Sequence, residues 1–402
     1  MSDNLPELSR SFPEEAIMCD SHSLPPEILL DIIIRLPIKS IITCTSVCKT
    51  WKSLIQNPSF ISDHLRHSTT KYLLFSLYSK TAWQVYRIPH EQGKEHYALH
   101  WDDDNRDFNE YTKFYFPLLH GQVRFCVVGS CDGLICLANY TCCDTFIIWN
   151  PCIRKFVQVS KALALPNIPP FRYSVSVGFG IDSKTSDYKV ARILSFRDRK
   201  SGSPPKLEVE VYSLATAEWK TLTTALPPTS TECYGNPHAS SVNGALHWVA
   251  SRRTKDNMLI KFVMVLDLED EVFSEIAMPK FAENERNLPS TISAYGNSLA
   301  LYQEVSMNYL NIWLMKEYGN ASSWTKIVIL ADQGPRYYRP SAKGFRKSGE
   351  VILKMNDTKF ISRDLETQEI KDIGNAGYYH TYVDYYVESL VLNDKKSQLC
   401  SY

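Results

Sequence analysis

The chain has no surplus of charge: 44 basic and 44 acidic side chains cancel, so no overall field draws it to nucleic acid or to an anionic membrane. It also lacks long apolar runs. No stretch approaches the roughly 18 to 20 apolar residues that span a bilayer, so no membrane insertion is expected. The opening residues carry Asp3, Glu7, Glu14, Glu15 and Asp20, with no basic start followed by an apolar run. That argues against a secretory signal and makes the cytoplasm, the nucleus or both the expected compartment.

Without export, the 11 cysteines read as free thiols rather than a disulfide framework. The close groupings (Cys44 with Cys48, Cys131 with Cys136, Cys142 with Cys143) lack the paired spacing of a zinc site, so no metal and no cofactor is expected. A phosphate-binding G-x-x-x-x-G-K loop and a G-x-S-x-G elbow are both missing, and Gly178-Phe-Gly180 reads as a turn. His96 and His100 read as solvated loop residues without a third ligand. Catalysis is therefore not expected.

What the chain does have is two unlike halves. The segment from Ser23 to Leu65 has helical character, opening on a possible Ser23 cap with Pro25 and Pro26 in the first turn. Pro37 ends the first helix near Leu36. Further helices are expected from Lys39 towards Val47 and from Cys48 to Ile55, where Asn57-Pro58 closes the third. Seven apolar residues between Ile28 and Leu36 cover most of the first helix, leaving Glu27, Asp31 and Arg35 as a narrow polar strip. Such a helix has to be covered on two sides. It either packs on the rest of the chain or offers a partner surface.

From Lys71 onward, short apolar and β-branched runs alternate with turns. Lys71–Tyr78, Phe125–Gly129, Leu134–Asn139 and Phe146–Trp149 are expected strands, with a hairpin at Asp132-Gly133. A loose repeat recurs at Ile147, Val211, Val265, Ile312 and Ser362, each time a strand, a polar turn and a second strand. Hairpins with this period point to a β-propeller of about six blades. A β-sandwich is the other arrangement so degenerate a repeat allows. The stretch Tyr385–Leu392 is expected to pair with the first blade and remove open edges. The expected boundaries are a flexible tail over 1–20, a helical module over 21–66, a β domain over 71–393 and a tail over 394–402.

The string LPPEILLDIIIRLPIKSI from Leu24, followed by VCKTWKSLI and by Pro58-Ser-Phe60, resembles the F-box. GSCDGLICL from Gly129, WNPCIRKF from Trp149, GFGIDSKTSDYKVARI from Gly178 and VNGALHWVA from Val242 resemble the F-box-associated, kelch-like domain of plant proteins. The fold class this implies is α+β multidomain: a small three-helix F-box, then an all-β propeller. The resemblance implies docking on the Skp-type adaptor of a cullin-based ubiquitin ligase, with the β domain binding a target protein for ubiquitination and degradation. The adaptor contacts it implies are Leu24, Pro25, Ile28, Leu29, Ile32, Leu36 and Pro37, then Ser40, Ile41, Ile42, Val47, Cys48, Lys49, Trp51 and Leu54. Among them, Ile32 and Trp51 are expected to hold the three-helix core. Thr43 and Cys44 depart from the family, where arginine and an aromatic residue are common.

Loops on a rigid scaffold carry recognition, and Arg, Tyr and Trp are frequent anchors. The candidate target contacts are therefore Trp101 and Asp103 in an acidic loop, Arg252 and Arg253, Tyr337 and Tyr338, and Tyr378 and Tyr379. An adaptor-bound scaffold that directs no degradation, and a glycan-binding receptor, are the other functions this sequence allows.

Overall fold

The computed structural model describes residues 25–68, 71–79, 95–102, 108–115, 125–139, 143–160, 173–196, 206–223, 232–233, 238–254, 256, 258–282, 285–286, 288–306, 309–330, 341–355, 359–375, 378–395 and 398–399. The expected tail over 1–20, the Ser23 cap and Leu24 lie outside them.

Four helices open the chain: α1 (Pro26–Ile34), α2 (Ile38–Cys44), α3 (Lys49–Ile55) and α4 (Pro58–His67). Pro25 precedes α1 without a side-chain cap, and Pro37 separates α1 from α2. The Trp51 N–H donates to Cys48 Sγ at 3.4 Å, which starts α3. The three-helix expectation is corrected here. Asn57-Pro58 closes α3 but also opens α4, because Asn57 Oδ1 accepts from the Ser59 N–H at 2.8 Å and Pro58 occupies the first turn, where its missing donor is harmless.

The strands follow in chain order. β1 (Lys71–Ser79), β2 (Glu95–Trp101) and β3 (Glu110–Tyr115) precede β4 (Phe125–Cys131), β5 (Leu134–Asn139), β6 (Phe146–Asn150) and β7 (Lys155–Gln158). Next come β8 (Tyr173–Asp182), β9 (Asp187–Phe196), β10 (Lys206–Ser213) and β11 (Glu218–Leu222). The middle of the chain gives β12 (Glu232–Cys233), β13 (Ser240–Val242), β14 (Ala245–Arg253), β15 (Leu259–Asp267) and β16 (Phe273–Ala277). β17 (Ser290–Tyr295), β18 (Ser298–Ser306), β19 (Tyr309–Met315) and β20 (Trp324–Leu330) form a further group. Last are β21 (Ser341–Phe345), β22 (Val351–Lys354), β23 (Lys359–Arg363), β24 (Ile370–Asn375), β25 (Tyr378–Val387) and β26 (Gln398–Leu399).

These strands build six antiparallel sheets, and the sheets form a six-bladed propeller. The innermost strands β25, β4, β8, β13, β17 and β21 contact one another in that order, and β21 returns to β25. Closure comes from β25, which pairs with β1 from Lys71↔Val387 to Ser79↔Tyr378. A strand from the end of the chain thus completes the first blade, and no sheet edge stays open at the seam. Within the expected tail over 394–402, Gln398 and Leu399 form β26, which pairs with β7 at Gln398↔Phe156.

The sequence repeat is the outer hairpin of five of the six blades. At four of its turns one polar residue organises the chain. Asn150, Ser213, Asp267 and Asp364 each accept a backbone N–H two or three residues on, at 3.0, 3.1, 2.8 and 2.8 Å. Arg154, Ala217, Glu271 and Gln368 then take positive φ to return the chain. Middle strands such as β5 and β6 are buried along their whole length, because neighbouring blades cover both faces. That is why they read as unbroken apolar runs rather than alternating ones. Gly178 and Gly180 lie within β8 rather than in a turn, which corrects that expectation. A Cβ at Gly178 would sit 2.8 Å from Ala239 Cβ, so the missing side chain lets the next blade close up.

Ion pairs lock blades together. Arg346 bonds Asp102 at 3.0 Å and Glu350 at 2.5 Å, and its guanidinium lies 3.9 Å from the centre of the Phe108 ring. Asp102 follows β2 while Arg346 and Glu350 flank the β21–β22 turn, so the first and last blades are joined through buried charge.

The helical module packs on this propeller. Ile33, Ile38, Ile41, Ile55, Phe60 and Ile61 belong to the same buried cluster as Leu134 and Ile153 of the second blade and Leu390 and Leu392 after β25. The Asn393 carbonyl links the two parts, accepting from Gln56 Nε2 at 3.2 Å and from Lys155 Nζ at 3.0 Å.

Candidate functional sites

The first candidate is the outer face of the helical module. Ile28, Ile32 and Val47 are 48%, 46% and 63% exposed, although neighbouring Ile33 is 1% exposed and Ile41 fully buried. Pro25, Pro37, Ser40 and Lys49 are also exposed, and Leu29, Leu36, Ile42, Cys48, Trp51 and Leu54 are half-buried beside them. α1 is therefore covered on one side by the chain itself and left apolar on the other. Two expectations change. Ile32 does not hold the core, and Ile41 does not face outwards, because the docking of α1 and α2 on the propeller turns Ile33 and Ile41 inwards instead. At the departures from the family, the Thr43 hydroxyl bonds the Lys39 carbonyl at 2.9 Å and Cys44 packs half-buried against the core.

The second candidate is the central channel, about 700 Å³ in volume, walled by the innermost strands. On one side, Asp384 Oδ2 accepts from the hydroxyls of Tyr382 at 2.6 Å and Ser130 at 3.2 Å, and its Oδ1 accepts from the Tyr385 N–H at 2.8 Å. Burial raises this carboxyl above its usual range, and those hydrogen bonds only partly oppose the effect. Asp132 accepts from the Tyr188 hydroxyl at 3.1 Å. The other wall carries Lys343 and Lys354 with Thr291, Ser293, Ser341 and Tyr302. Burial lowers the Lys343 ammonium below the ordinary lysine range, and the charge on Lys354 lowers it further. His238 lines the channel too, and burial brings it down to about 4.

Of the candidate target contacts, only Trp101 and Arg252 have described side chains, and these lie in different blades. Trp101 sits in a cluster with Tyr72 and Tyr111, at ring distances of 4.9 and 4.7 Å, and is a packing residue of the first blade rather than a loop anchor. Arg252 pairs with Glu275 and covers the Phe262 ring at 4.8 Å, so its charge is spent within its own blade. Asp103, Tyr337 and Tyr338 lie outside the described residues. Arg253, Tyr378 and Tyr379 lie in β14 and β25, and only their backbone is described. His100 lies in β2 rather than a loop, where its Nδ1 is 2.7 Å from the Phe108 carbonyl oxygen. The channel residues were missed because inner strands carry no turn signature.

Comparison with known proteins now bears on both sites. The F-box domain family matches residues 21–63, and the F-box associated beta propeller domain family matches residues 96–402. The chain belongs to the F-box associated beta propeller family. It is 28% identical over 397 residues to the F-box protein CPR1 of Arabidopsis thaliana, covering 93% of this chain and 90% of that protein. It is similar also to the Arabidopsis thaliana F-box/kelch-repeat protein At3g23880, at 25% identity over 314 residues, covering 78% and 81%. The F-box match coincides with the helices whose apolar face is open, and the propeller match contains the described channel-lining residues except Ser76. Among the described residues, no helix is long and apolar enough to cross a membrane.

Proposed function

We propose that this F-box protein is the substrate-recognition subunit of a Skp-cullin-F-box type ubiquitin ligase. The observation that carries this reading is the open apolar face of Ile28, Ile32 and Val47 on a module whose other side is already buried against the propeller. An apolar patch of this kind is costly in water and marks a partner surface. The partner proposed for it is the Skp-type adaptor, and through it a cullin. The contacts implied by the family are retained in this proposal for Pro25, Ile28, Leu29, Ile32, Leu36 and Pro37, and for Ser40, Ile42, Val47, Cys48, Lys49, Trp51 and Leu54.

The propeller would hold a target protein. Its role is non-catalytic: tethering the target near the ubiquitin-charged enzyme converts a bimolecular encounter into one of high effective concentration. The shared core and the Asn393 hydrogen bonds to Gln56 and Lys155 join module to propeller and so orient the target that would be presented. The proposed compartment is the cytoplasm or the nucleus, where such ligases act.

Reconstitution with adaptor, cullin and the ubiquitin-charging enzymes tests the whole proposal. Proteins captured by the full chain should acquire ubiquitin only when all components are present, and should accumulate in cells when the proteasome is inhibited. Capture without ubiquitin transfer would instead describe a scaffold.

A further inference from the structure

Among the described residues, one charged group of the channel, Lys343, has no hydrogen bond or ion pair to answer it. Strands β21 and β22 pair as Ala342↔Leu353 and then as Gly344↔Ile352, so Lys343 is the extra residue of a β-bulge. Bulges re-aim a side chain, and here the re-aimed residue lines the channel. Lys354, opposite Ser341 in the same pair of strands, lines it as well.

The two acids of the channel are already engaged, Asp132 by Tyr188 and Asp384 by Tyr382, Ser130 and a backbone N–H. Among the described residues, no hydrogen bond or ion pair engages the Lys343 ammonium. The charge of Glu304 acts on it from a distance and forms no ion pair with it among the described contacts. Burying a cation without a counter-charge is costly, and an arriving anion would offset that cost. The hydroxyls of Thr291, Ser293, Ser341 and Tyr302 line the same cavity and suit the remaining oxygens of a carboxylate or a phosphate.

Resting on the receptor reading above, we infer that the Lys343–Lys354 wall receives an anionic side chain, carboxylate or phosphate, carried by a peptide of the target protein. The channel is wide enough for such a side chain, while a folded domain would have to stay at its mouth.

The test uses the full chain and three pools of short random peptides that differ only at a fixed central residue: phosphoserine, aspartate or alanine. Binding is read by fluorescence anisotropy. At least one acidic pool should bind about tenfold or more tightly than the alanine pool. Lys343→Met should cancel that preference and Lys343→Arg should keep it. A preference confined to aspartate identifies a carboxylate ligand, and one confined to phosphoserine identifies a phosphorylated target. Equal binding of all pools, or a preference that survives Lys343→Met, would overturn the inference. Adaptor co-purification is measured on the same variants. If it persists while the acid preference is absent, this inference fails and the receptor reading stands. Lys343→Met removes a half-buried charge that no described group pairs, so its melting temperature should stay unchanged or rise, and misfolding then does not mimic the expected loss.

Discussion

The helical module and the propeller solve the burial problem differently. The module is short of partners for its apolar residues: Ile33, Ile41 and Ile55 are buried, yet Ile28, Ile32 and Val47, on the same helices or their connections, stay open. The propeller has the opposite excess. Middle strands such as β5 and β6 are buried throughout, and it takes charge inside as well, with Arg192, Arg346, Glu210 and Glu350 all buried. A small unit that leaves apolar surface uncovered is built to be completed by another protein. A closed ring that buries polar groups has no need of completion, and offers recognition through a polar channel instead.

Removing a charge from the propeller should have the largest effect. Arg346→Met leaves Asp102 without its cation and Glu350 with only the part-exposed Lys371, and breaking such a buried pair costs about 3–5 kcal/mol. Chemical denaturation should show the loss, and a variant as stable as the wild type would mean that the blade seam does not depend on this network. Ile41→Ala should follow, at about 2–5 kcal/mol, since it empties a fully buried site under the module. If hydrogen exchange in α1–α4 is unchanged in that variant, the module does not rely on its shared core with the propeller.

Acid should act on both regions. Burial lowers His64 in the module and His247 in the propeller to about 4, from the ordinary value of 6.5. The unfolded chain then takes up protons first as pH falls. Stability is full above pH 6.5, and each histidine costs about 1.4 kcal/mol per pH unit as pH drops towards 4. Replacing His247 with Gln should flatten the urea-midpoint profile across that window, and an unaltered slope would exclude this cause. Glu350 adds a loss at lower pH. Burial alone would raise its carboxyl, but hydrogen bonds from Ser362 and Arg346 hold it below the ordinary range, so its contribution disappears as pH falls through that lowered value.

The two regions were legible in the sequence to different depths. Five of the six outer hairpins stand out because each is local: two strands and a polar turn, such as Asp267 or Asp364, that organises itself. The hairpin of the first blade escapes notice, since β2 and β3 are joined through an acidic stretch and the bonds that hold Asp102 come from Arg346, far along the chain. Lys343 was illegible for the same kind of reason: a bulge exists only in the pairing of two strands. In the module, the helical pattern shows that α1 carries more apolar surface than one neighbour can cover. It does not tell Ile32 from Ile33, because docking on the propeller decides which face is hidden.

The smallest expected change in stability belongs to the open face. Ile28→Ala, Ile32→Ala and Val47→Ala should each shift unfolding by no more than about 0.5 kcal/mol, as exposed positions do. Leu24 and Ile41 are left intact, since the first lies outside the described residues and the second is core. The most direct test of the account is co-purification of this triple variant, beside the wild type, with a co-expressed plant Skp-type adaptor. The account predicts a stable wild-type complex and a folded variant that no longer captures the adaptor. A folded variant that binds as well as the wild type would contradict it, and the apolar face would then need another occupant.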